Sequence, residues 1–122
     1  MRHIVQKEVS RFGNAFRGFK KAYKLDDHFR YEVIFGGIFF LAFGYWLWPL
    51  APHEFLFLAL AYALVLITEL VNTAFERALE RLHPERHELI GVSKDIAAAA
   101  VLLSGAFALL VLGIIAANHF LS

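Results

Sequence analysis

Residues 55–75, FLFLALAYALVLITELVNTAF, hold a single Asp, Glu, Lys, Arg or His, Glu69. A helix needs about 20 apolar residues to cross the hydrocarbon of a bilayer. The stretch therefore predicts a membrane span with a carboxylate inside it. Upstream, residues 33–52 (VIFGGIFFLAFGYWLWPLAP) contain no Asp, Glu, Lys or Arg and predict another span. Downstream, residues 96–118 (IAAAAVLLSGAFALLVLGIIAAN) carry no titratable side chain and predict a third. The expected fold is an all-α membrane protein, one domain over residues 1–122, with residues 77–95 as a cytoplasmic link.

Composition agrees. The 122 residues are 59% hydrophobic and 16% aromatic, against roughly 45–50% apolar in an ordinary soluble domain. Mean hydropathy is +0.56. So apolar a chain, with 8 Gly, 3 Pro and no Cys, excludes disorder, collagen, a disulfide scaffold, thiolate chemistry and Cys-ligated zinc. There is no strand signal, no internal repeat and no secretory leader, because the first apolar run begins only at Val33.

Ahead of that run, Val5, Val9, Phe12, Phe16, Phe19 and Tyr23 recur at steps of three and four, one stripe of a helix over residues 2–28. Lys and Arg fill the remaining faces, as in an amphipathic helix lying in the headgroups of an anionic leaflet. A helix packed on the spans with a solvated basic face fits the same pattern. Residues 1–32 hold 8 of the 12 Lys and Arg, the other four follow Phe75, and the turn between the first two spans has none. The positive-inside rule puts the N-terminus in the cytoplasm and the C-terminus outside. Tyr45, Trp46 and Trp48 fit an outer aromatic belt, Phe29 and Tyr31 an inner one.

The remaining polar residues gather at the inner face. Glu69, Asn72 and Glu76 are spaced i, i+3, i+7 and share one helix face over about 10 Å, with Thr73 beside them and Glu80 a turn further on. Glu69 lies about two turns inside the hydrocarbon if that ends near Glu76, a depth that suits a carboxylate for taking a proton. Glu76 and Asp95, at the surface, stay ionised and can hold a divalent cation. The competing reading is structural: an intramembrane Glu pairing helices, Asn72 as interhelical glue, Asp95 favouring a helix N-terminus. His83, His87 and Glu88 imitate zinc spacing, but Pro84 breaks the helix that would align them. Residues 13–20, GNAFRGFK, lack the Gly-Lys-Ser/Thr ending of a phosphate loop. What is left is carboxylates for a metal, cations for phosphate and a buried Glu at headgroup depth, the parts of phosphoryl transfer to a lipid hydroxyl.

Residues 69–76 (ELVNTAFE), His87-Glu88-Leu89 and residues 94–101 (KDIAAAAV), with residues 14–18 (NAFRG) and Phe29-Arg30, resemble the small prokaryotic diacylglycerol kinase family along essentially the whole chain. The resemblance implies a homotrimer of three-span subunits that transfers the γ-phosphoryl of MgATP to a lipid hydroxyl at the cytoplasmic (inner) membrane. It implies Glu69 as general base and lipid contact, Asn72 as an ordering residue, and Asp26 and Glu76 as ligands of Mg2+. His87, Lys94 and Asp95, with Glu76, would meet ATP, and Lys7, Arg11 and Arg17 are candidates for its phosphates. Many relatives have Glu at the place of Asp26, so Asp27 competes with it for the metal, and Glu80 and Phe75 also depart from the usual pattern.

Diacylglycerol and undecaprenol are both acceptors within the family. Diacylglycerol, giving phosphatidic acid, is the reading adopted; undecaprenol, giving its phosphate, is the alternative. A small oligomeric transporter is the competing class, but it would carry polar groups across the midplane, where these spans offer only Tyr, Ser104 and Thr68. A purely structural subunit would be indifferent to Glu69→Gln. Three helices cannot hide the Glu69–Asn72–Glu76 stripe from lipid, so self-association is expected. No nucleic-acid partner is expected.

Overall fold

The computed structural model describes residues 1–85 and 88–121. They form four helices: α1 Arg2–Leu25, α2 Asp27–Trp46, α3 Pro52–Leu82 and α4 Glu88–Leu121. The described part is all-helical, as its periodicity predicts.

Asp26 makes the corner between α1 and α2. Its backbone is extended (φ −112°, ψ 109°), its N–H bonds Ala22 O, and its Oδ1 accepts from Phe29 N at 3.2 Å, so the residue that ends α1 caps α2. The first helix, expected over residues 2–28, accordingly stops at Leu25. Phe29 is fully buried and meets Phe19 edge to face at 5.2 Å, pinning the end of α1 on α2.

The first apolar stretch is helical only to Trp46, because Pro49 and Pro52 cannot donate to a helical ladder. Pro52 instead opens α3, where a missing N–H costs nothing, and Glu54 accepts the N–H of Ala51 at 2.9 Å.

α3 and α4 form the main packing unit. Leu58, Ala61, Ala108, Val111 and Ile115 are buried between them with Leu47, and the hydroxyls of Thr68 and Ser104 meet at 2.8 Å. α2 lies on α3, where Gly36 and Gly37 admit the Tyr62 ring and the Tyr62 hydroxyl donates to Val33 O at 2.7 Å. Both long helices outrun their apolar stretches: α3 continues through Glu76 and Glu80 to Leu82, and α4 starts at Glu88. That leaves little of residues 77–95 as a non-helical link.

Most large apolar side chains face outward. Leu41, Leu102 and Leu109 are all more than 70% exposed, the reverse of a soluble core. α3 and α4 are long and apolar enough to cross a membrane.

Candidate functional site

α3 builds the site. Its i, i+3, i+7 spacing puts Glu69, Asn72 and Glu76 along one wall of an open cleft of about 400 Å³. The α1–α2 corner adds Asp26 and His28, and α4 closes the far side with Ala98, Val101 and Leu102. Three carboxylates, an amide and an imidazole thus face an apolar wall.

Asp26 is held from two sides. Thr73, buried on α3, donates its hydroxyl to Oδ2 at 2.5 Å, while Oδ1 caps α2. Burial pushes the Asp26 carboxyl up, but the bonds from Thr73 and from the N–H groups of Phe29 and His28 outweigh it, and the carboxyl titrates below its ordinary value of 3.8. Adjacent Asp27 is exposed and paired with Arg30. Of the two acidic residues, Asp26 is the one that lines the cleft.

Asn72 donates to Glu76 Oε1 at 3.4 Å, leaving its own Oδ1 buried and without a hydrogen-bond partner. A buried acceptor in that state costs free energy until a donor arrives. Asn72 also lines a second, apolar cleft with Ile67, Val71, Phe75, Ala97 and Ala100.

The other expected residues lie apart. Lys94 bonds Glu80 at 3.4 Å and lines a different cleft with His83, Glu85 and Glu88. Asp95 is exposed. Lys7, Arg11 and Arg17 are exposed along α1, Arg11 beside Glu8 and Arg17 bonded to Asn14. His87 lies outside the described residues. The sequence reading missed His28, whose only signal was its place two residues after Asp26.

Among the described residues no three acidic or histidine side chains converge tightly enough to cage an ion. The cleft does offer what Mg2+ takes when it travels with a nucleotide: one or two carboxylates and room for phosphate and water. Asp26 and Glu76 fit that role.

The family model of prokaryotic diacylglycerol kinase matches residues 13–116, a span that contains every residue of the cleft. The chain belongs to the prokaryotic diacylglycerol kinase family. It is therefore an enzyme of a kinase family. It is 31% identical to the diacylglycerol kinase of Escherichia coli (strain K12) over 108 residues, 88% of this chain and 87% of that protein. It is 32% identical to the diacylglycerol kinase of Haemophilus influenzae (strain Rd) over 101 residues, 83% of this chain and 80% of that one. Kinase membership implies ATP as phosphate donor, and the apolar helices agree with a membrane-associated enzyme.

Proposed function

We propose that this protein transfers the γ-phosphoryl of MgATP to the hydroxyl of diacylglycerol, giving phosphatidic acid and ADP. It would work as a three-span homotrimer in the inner membrane, N-terminus and site on the cytoplasmic side. The observation that carries this reading is the cleft itself, whose lining sets the carboxylate of Glu69 and the residue Asn72 with the apolar residues Ala98, Val101 and Leu102. An acceptor needs a donor, and a lipid hydroxyl brings one attached to an apolar body.

In this mechanism Glu69 takes the hydroxyl proton as the lipid oxygen attacks the γ-phosphorus and the bond to the β-phosphate oxygen breaks. Asn72 accepts from the hydroxyl or its neighbour and fixes its direction, and Thr73 holds Asp26 in place. Asp26 and Glu76 would hold Mg2+, which when bound neutralises charge on the phosphates. His28, on the same cleft wall, would be available to a phosphate oxygen. Lys94, Asp95 and His87 would contact ATP, with Lys94 presented by a neighbouring copy, and Lys7, Arg11 or Arg17 would add cations from α1.

Phosphate transfer from labelled MgATP in mixed micelles tests the reading, with diacylglycerol and undecaprenol side by side and Glu69→Gln as control. Transfer to diacylglycerol that Glu69→Gln abolishes supports it. Preference for undecaprenol replaces the acceptor, and absence of MgATP binding overturns the kinase.

A further inference from the structure

The last carbonyls of α1 are met by guanidinium groups from two other helices. Arg30 on α2 donates to Tyr23 O at 3.5 Å and Lys24 O at 3.4 Å, and Arg77 on α3 donates to Leu25 O at 3.3 Å. A helix C-terminus leaves its final carbonyls unpaired and carries partial negative charge, so cations there satisfy both. Arg30 is also committed to Asp27.

Arg77 follows Thr73 by four residues, so one face of α3 presents a hydroxyl to Asp26 and a guanidinium to the carbonyl just before it. The next face carries Asn72 and Glu76 into the cleft. Beyond its last turns α1 has little contact with the rest of its own chain: Val5, Val9, Phe12 and Phe16 are each at least 60% exposed. The helix is a lever. Arg11 lies 14 residues from Leu25, about 21 Å along the axis, so a 10° tilt at the corner moves it by about 4 Å.

We propose that Arg77 is a positioning residue: it fixes the angle at which the basic helix α1 leaves the cleft, and through that angle sets the affinity for MgATP. The proposal rests on the kinase reading above. It assigns Arg77 no contact with substrate and no part in proton transfer, so its loss acts on KM for MgATP rather than on kcat.

The chain contains no Cys, which allows spin labels at Ser10→Cys and Leu82→Cys in the full-length protein. Diluting labelled protein into an excess of unlabelled copies restricts measured pairs to one subunit. Arg77→Ala is expected to broaden or shift the distance distribution and to raise KM for MgATP about fivefold, the worth of one ordinary hydrogen bond, with kcat held within about twofold. Arg77→Lys, which keeps a cationic donor, is expected to restore both. If Arg77→Ala fails to assemble, Arg77→Met replaces it, keeping the aliphatic stem without the donor. An unchanged distance, a fall in kcat at constant KM, or a folded Lys variant as impaired as Ala each overturns the proposal. If the parent protein phosphorylates no lipid, the kinase reading has failed, and the distances alone decide whether Arg77 sets the angle.

Discussion

The Thr73 hydroxyl donates to Asp26 Oδ2 at 2.5 Å across 47 residues of sequence, tying the middle of α3 to the corner where α1 ends and α2 begins. Removing that donor leaves a partly buried carboxylate short of one bond. Thr73→Val, which keeps the shape, is expected to cost about 1–2 kcal/mol in detergent unfolding. It is also expected to raise the Mg2+ concentration needed for half-maximal transfer. Unchanged stability would mean that the bond contributes nothing.

The same contact sets an acid limit. The Asp26 carboxyl titrates below 3.8 in the folded protein, so its contribution to stability is complete above that value and is lost as pH falls through the lower, folded value. Unfolding temperatures scanned from neutral pH downward should fall more steeply below about pH 4 in the parent than in Asp26→Asn. Parallel curves would remove Asp26 from the acid response.

Two carboxylates on one helix face should separate kinetically. Glu69→Gln is expected to lower kcat by about 10²–10⁴-fold with MgATP binding retained. Glu76→Gln should instead raise the Mg2+ concentration needed for half-maximal transfer. Steady-state kinetics at varied Mg2+ with direct nucleotide titration distinguishes the two, and identical profiles would contradict the separate roles.

At the other end of the bundle, His119 Nε2 lies 2.9 Å from Glu54 Oε2, joining the start of α3 to the end of α4. Glu54 is buried and also holds Ala51. His119→Ala and Glu54→Gln are each expected to lower the unfolding temperature, and the double variant should lose less than the sum because the two share one contact. Specific activity well below those temperatures should not change, since the pair is far along the chain from Glu69.

A third contact is steric. A Cβ at Gly37 would stand 3.2 Å from the Tyr62 hydroxyl, which cannot give way without straining its bond to Val33 O, so Gly37→Ala is expected to destabilise despite the better helix propensity of Ala. Adding Tyr62→Phe removes the atom in the way and should recover most of the loss, leaving only the cost of the missing bond to Val33 O. Non-additivity in a double-mutant cycle measures it.

The helical architecture and the face shared by Glu69, Asn72 and Glu76 were legible in sequence because helical spacing is local. The participation of Asp26 was implied by resemblance, whereas its double engagement by Phe29 and Thr73 was not, because Thr73 is distant in sequence. The break after Trp46 could have been read from Pro49, but an uninterrupted apolar run masked it. His28 and Arg77 carried no motif. Lys94 was expected beside the nucleotide, yet within one chain it joins Glu80, since spacing fixes a residue's place on its own helix and not which helix it will face.

Asn72 belongs to the walls of two clefts at once, one polar and one apolar. On the proposed function, a lipid acceptor would bring its hydroxyl to the polar cleft while its apolar body stayed among the outward-facing side chains. Such a substrate never has to be pulled out of the bilayer, which would cost about 0.8 kcal/mol for every methylene exposed. On that proposal the enzyme would reach its substrate at the water's edge, with a single amide at the shoreline.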